Sequence, residues 1–255
     1  MSEAAGCTRR KFLGLLGGGA AVALGCQSPA PENQACTRLT ARPGTPTRTV
    51  TPGVWSLGGT PGHDGFLYVP QSYVAGTATA LVLALHGAGG SSNGPLTFLG
   101  PYAEQHGFLL LAVDAYGITW DAISDGYGPD VEFLDLTLGA AFDRCSVDPA
   151  RLAIEGFSDG ASYALGLGLA NGDLFSRIVA FSPGFIPPGS TPVSGLPEVF
   201  VSHGVQDPVL PIEGASRTIV PRLQNDGYAV TYVEFDGGHT IPSSVAAQAT
   251  EWLMR

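Results

Sequence analysis

Gly156-Phe157-Ser158-Asp159-Gly160 sets a serine between two glycines in the pattern G-x-S-x-G, which marks a sharp strand-to-helix turn that holds a hydroxyl clear of a sheet. Glycines two before and two after the serine leave room where a Cβ would collide with neighbouring backbone. A serine hydroxyl is a poor nucleophile at neutral pH and needs a base to take its proton as it attacks. Imidazole suits that task, with an unperturbed pKa of about 6.5. Among His63, His86, His106, His203 and His239, only His239 directly follows the last strand pattern and precedes the final helical one. His63 and His106 read as surface or packing residues. The base in turn needs an acid to fix its tautomer. Asp207, in His203-Gly204-Val205-Gln206-Asp207, follows an apolar run and precedes His239 by about one helix and one strand. Asp236 and Asp226 read as a turn residue and a helix stop.

Attack on a carbonyl also needs donors for the oxyanion. The backbone N–H of Asp159, at the start of a helix, supplies one. Ala88, in His86-Gly87-Ala88-Gly89-Gly90, is the expected second, on a glycine-rich loop that follows a strand. His86 and His203 then begin loops and bond backbone. A dinucleotide fingerprint needs one more glycine than this loop offers.

These residues must be held by elements that recur along the chain. Apolar runs at Gly65 to Pro70, Ala80 to Leu85, Phe108 to Val113, Leu152 to Glu155, Arg177 to Phe181, Val199 to Ser202 and Ala229 to Phe235 read as strands. Helical patterns fall near 94–106, 130–145, 160–171, 214–226 and 243–254. In the second, Val131, Leu134, Leu138 and Phe142 form one stripe, with Asp130 as expected cap. Such alternation predicts an α/β fold: one mostly parallel sheet with helices on both faces. Sites in such sheets lie beyond the C-terminal strand ends, where Ser158, Asp207 and His239 fall.

Composition narrows the partners. The net charge is −10 and the sole lysine is Lys11, which argues against nucleic acid and anionic lipid headgroups and excludes a P-loop. Cys7, Cys26, Cys36 and Cys145 carry no zinc spacing, and no metal is expected. Residues 1–26 read as an export signal, with Arg9-Arg10-Lys11 ahead of an apolar stretch too short to span a bilayer. Ala23-Leu24-Gly25-Cys26 resembles a lipobox, with Cys26 as the lipidated residue. Residues 27–53, rich in Pro and Thr, are expected to be a flexible tether ahead of a single domain at 54–255. The expected location is therefore the cell envelope, lipid-anchored, or the medium. There an oxidising environment permits a Cys36–Cys145 disulfide, with two free thiols as the alternative.

Taken jointly, Leu85-His86-Gly87-Ala88-Gly89-Gly90, Val147-Asp148-Pro149-Ala150-Arg151 before the serine motif, Phe181-Ser182-Pro183-Gly184, His203 to Asp207, and Gly237-Gly238-His239 resemble the serine esterases of the α/β-hydrolase superfamily. The resemblance runs from about Gly65 to the C-terminus. It is strongest to the branch of polyhydroxybutyrate depolymerases, feruloyl esterases and phospholipase/carboxylesterases. It implies acyl transfer from an ester through an acyl-enzyme on Ser158, with Asp207 and His239 as partners and no cofactor. Thioesterase or phospholipase chemistry on the same scaffold, and an inactive surface-binding lipoprotein, stand as alternatives. No large lid is visible, so a small or polymer-end ester is the expected substrate. Trp120 and Tyr127 lie on a loop after a strand and are candidates for the pocket wall. Phe157 reads as packing beneath the turn.

Overall fold

The computed structural model describes residues 37–60, 63–189 and 195–255. Eight strands form one sheet in the order β1-β2-β4-β3-β5-β6-β7-β8. These are β1 (Gly53–Thr60), β2 (His63–Val69), β3 (Thr79–Leu85), β4 (Leu109–Val113), β5 (Val147–Phe157), β6 (Arg177–Phe181), β7 (Glu198–Gly204) and β8 (Val230–Phe235). β1 and β2 run antiparallel to their neighbours, and the rest are parallel. β1 was not anticipated: Gly58 and Gly59 interrupt its short apolar run, and its register shifts there.

The helices are α1 (Asn93–His106), α2 (Pro129–Phe142), α3 (Asp159–Ala170), α4 (Ser216–Asn225) and α5 (Ser243–Leu253). β3 explains how they divide. Leu81, Leu83 and Leu85 join one core with Leu134 of α2, Tyr163 of α3 and Leu223 of α4. Ala80, Val82 and Ala84 join the other, with Leu99 of α1 and Trp252 of α5. Alternate side chains of a strand point to opposite faces, so a strand covered on both sides is apolar throughout. Each fully buried leucine contributes about 1.5–3 kcal/mol.

Two expectations are corrected. Asp130 does not cap α2. Gly128 is the cap residue and Pro129 opens the helix, while the Asp130 carboxylate accepts from the N–H groups of Tyr116 and Asp121, each at 2.7 Å. Nor is all of 27–53 a free tether. Leu39 is buried in the core, and its N–H donates to Asn171 Oδ1 at 2.9 Å. Arg38 holds Asp173 through two 2.8 Å bonds, and Thr40 and Ala41 N–H groups donate to Asp135. Exposed ion pairs of this kind contribute little, so the buried Leu39 is the anchor. A composition count over the segment does not register one leucine. The expected export signal, Cys26 and Cys36 lie outside the described residues. Cys145 is buried, and burial pushes its thiol up to about 11.

Candidate active site

β5 runs into α3 through Ser158, whose φ of 57° and ψ of −120° lie in a region that L-residues rarely adopt. Such backbone costs about 1–3 kcal/mol and persists where the surroundings enforce it. Here the flanking glycines permit it. A Cβ on Gly156 would run into the carbonyl of Gly160, and one on Gly160 into the carbonyls of Leu85 and His86. Backbone therefore packs on backbone, and the serine is thrust out at the strand end.

β7 and β8 bring the other two groups to the same edge. His239 Nε2 lies 2.8 Å from Ser158 Oγ, and His239 Nδ1 lies 2.6 Å from Asp207 Oδ2. A carboxylate can only accept, so Nδ1 carries the proton and Nε2 is free to accept from the serine. Asp207 and Ser158 are buried. Burial works to raise the Asp207 pKa, but hydrogen bonds from Leu210 N–H, His239 and Val209 N–H outweigh it and hold the group below its usual range. The acid is thus anionic where it faces the imidazole.

His203 was expected only to bond backbone, but it does more. Its Nε2 donates to Leu210 O at 2.8 Å and stands 3.2 Å from Asp207 Oδ2, while Nδ1 meets Ser216 Oγ at 2.7 Å. Burial, first among the causes, lowers its pKa and keeps it neutral. Its ring fixes both the acid and the turn that bonds that acid.

The loop after β3 sits against the serine, since a Cβ on Gly87 would lie 3.3 Å from that of Ser158. Ala88 is on this loop. Asp159 is the first residue of α3, and its N–H has no carbonyl one turn earlier within the helix. His86 Nε2 accepts from Ala115 N–H at 3.0 Å, so Nδ1 is the protonated nitrogen and donates to Gly87 O at 2.8 Å.

Trp120 does not line a pocket. It is fully buried, its Nε1–H donates to His86 O at 2.8 Å, and its ring packs between His86 and Tyr163. It buttresses the glycine-rich loop from below, with Gly89 N–H donating to Ile118 O at 2.7 Å beside it. Tyr127 is half-buried against Tyr163, also away from the cleft beside His239. The aromatic walls of that cleft are Phe98 and Phe157, the latter with its ring 4.8 Å from that of His239. Phe157 is half-buried, so it both packs and faces the cleft.

Glu155, three residues before the serine, was read only as the end of a strand. It is buried, and burial pushes its carboxyl up to about 8. The signal was a lone charge in the apolar run Leu152 to Phe157, on a part of β5 covered on both faces. Because this folded pKa lies above the unfolded value of about 4.3, the native state holds the extra proton between them. Stability is therefore full below about pH 4 and declines as pH rises toward 8. The loss amounts to several kcal/mol, at 1.36 kcal/mol per pKa unit. Glu155→Gln should flatten that decline in thermal melts across pH 4–9, and parallel curves for the two proteins would refute the assignment.

The architecture and the nucleophile turn define an α/β-hydrolase. The family model "Phospholipase/Carboxylesterase" matches residues 129–254. Feruloyl esterase C of Emericella nidulans is 26% identical over 242 residues, covering 79% of this chain and 86% of that protein. "Probable feruloyl esterase C" of Aspergillus terreus is also 26% identical, over 189 residues and 70% of this chain, which spans 66% of that relative's length. Among solved structures, esterase PE8 superposes with a TM-score of 0.59 at 26% identity, covering 73% of this chain and 95% of the other. The Bacillus cereus carboxylesterase, at 20% identity and a TM-score of 0.59 over 75% and 93%, shares the fold. The family model, the feruloyl esterase relatives and the esterase structures together support a place among the serine esterases of the α/β-hydrolase superfamily, in the phospholipase/carboxylesterase branch.

Proposed function

We propose that this protein hydrolyses carboxylic esters through an acyl-enzyme on Ser158. The observation that carries this reading is the continuous chain from Ser158 Oγ through His239 to Asp207, at 2.8 and 2.6 Å, on the loops that follow β5, β8 and β7. Ser158 Oγ attacks the ester carbonyl as its proton passes to His239 Nε2. The N–H groups of Ala88 and Asp159 bond the oxyanion, each worth on the order of 3 kcal/mol. Collapse expels the alcohol, whose oxygen takes the proton from His239. Water then repeats the sequence on the acyl group and frees Ser158. Asp207 stays ionised and stabilises the imidazolium.

The Arg9-Arg10-Lys11 signal pattern and the lipobox-like Cys26 support export and a lipid anchor. A fluorophosphonate should form one covalent adduct, which peptide mass spectrometry locates on Ser158. An adduct elsewhere, or none on folded protein, would overturn the reading. Rates on matched ester, thioester and phospholipid substrates, with a feruloyl ester included, then rank the leaving groups; ester should turn over fastest.

A further inference from the structure

Beside His239 the sheet leaves a cavity of about 360 Å³, and Glu155 is part of its wall. Gly87, Phe98, Phe157 and Ile241 give it a largely apolar lining. Its other polar side chains are accounted for. Ser91 and Thr240 are exposed, and His86 and His239 each have both ring nitrogens engaged. The Glu155 carboxyl makes no hydrogen bond or ion pair with another described residue, and its oxygens are not sealed off: the fully enclosed unpartnered side-chain atoms among the described residues are those of His63, Ser182 and Ser202. A polar group in an apolar site is costly unless something bonds it. Among the described residues no cation offsets its burial, which pushes the carboxyl up to about 8 and favours the neutral acid at neutral pH. A carboxylic acid both donates and accepts, which is the complement of a hydroxyl.

From this geometry we infer that the cavity is a specificity subsite for a substrate arm with an apolar body and a terminal hydroxyl, bonded by Glu155. This rests on the esterase reading above and adds the substrate class. The arm can belong to the acyl group or to the alcohol, and two substrate pairs separate these. Nitrophenyl 6-hydroxyhexanoate against nitrophenyl heptanoate exchanges hydroxyl for methyl on the acyl side. Hexanediol monoacetate against heptyl acetate does so on the alcohol side.

In one of the two pairs, kcat/KM of the wild type should favour the hydroxyl. Glu155→Leu should lower that hydroxyl-to-methyl ratio about tenfold, by removing the partner and filling the site with hydrocarbon. Glu155→Gln, which still donates and accepts, should keep most of the preference. Equal ratios in wild type and Glu155→Leu for both pairs would overturn the subsite. So would a wild-type preference for a trimethylammonium-tipped ester, since that makes Glu155 a counter-ion. Fluorophosphonate labelling of Ser158 is run on each variant: intact labelling with equal ratios sinks the subsite alone, whereas unlabelled folded wild type sinks the esterase reading.

Discussion

His239→Ala is expected to lower kcat/KM on an activated ester about 10⁶-fold, and Ser158→Ala together with it should cost little more. The reason is the shared proton. With Nε2 2.8 Å from Oγ, serine and imidazole act as one device, and either half alone leaves the hydroxyl at its ordinary reactivity. What survives is the activity of the donors at Ala88 and Asp159 and of substrate binding, roughly 10³–10⁴ over water. Kinetics of the two single variants and the double on one substrate decide this. Losses that multiply, so that the double falls far below either single, would show that the pair does not work as a unit.

Asp207→Asn should cost about 10⁴-fold, chiefly in kcat, with the fold intact. Oδ1 accepts from the N–H groups of Val209 and Leu210, so an asparagine would keep its carbonyl oxygen there and turn its NH₂ toward His239. An NH₂ group can only donate, so His239 Nδ1 must become the acceptor and the proton moves to Nε2. That tautomer cannot take the serine proton. The same NH₂ also faces His203 Nε2–H across the 3.2 Å gap, donor to donor. A steady-state comparison with matched circular dichroism spectra checks the prediction; a loss under tenfold with unchanged KM would show that the carboxylate does not set the tautomer.

Much of this arrangement could be read from the chain because each strand ends where the chemistry begins. Leu81 to Leu85 and Val199 to Val201 are apolar on both faces, and a His-Gly pair opens the loop after the first and closes the strand of the second. Such strands announce their own C-terminal ends, and chain order does the rest. What depends on side-chain direction was hidden. Trp120 looks the same in sequence whether it faces substrate or core, and only the fold turns its ring beneath His86. His203 and Asp207 are four residues apart, but the turn that brings ring to carboxylate is built by Val209 and Leu210 beyond them. β1 escaped because its glycines interrupt the pattern on which strand recognition relies.

The short stretch around Leu39 also gives the molecule a heading. Asn171, at the end of α3, takes Leu39 N–H and donates to Thr37 O at 2.7 Å, while Ser158 stands at the other end of the same helix. Twelve residues of helix separate them, about 18 Å along its axis. The chain thus joins the domain at the pole opposite its catalytic mouth. A surface tethered through that junction would face the back of the sheet, leaving the serine turned outward, toward whatever arrives from solution.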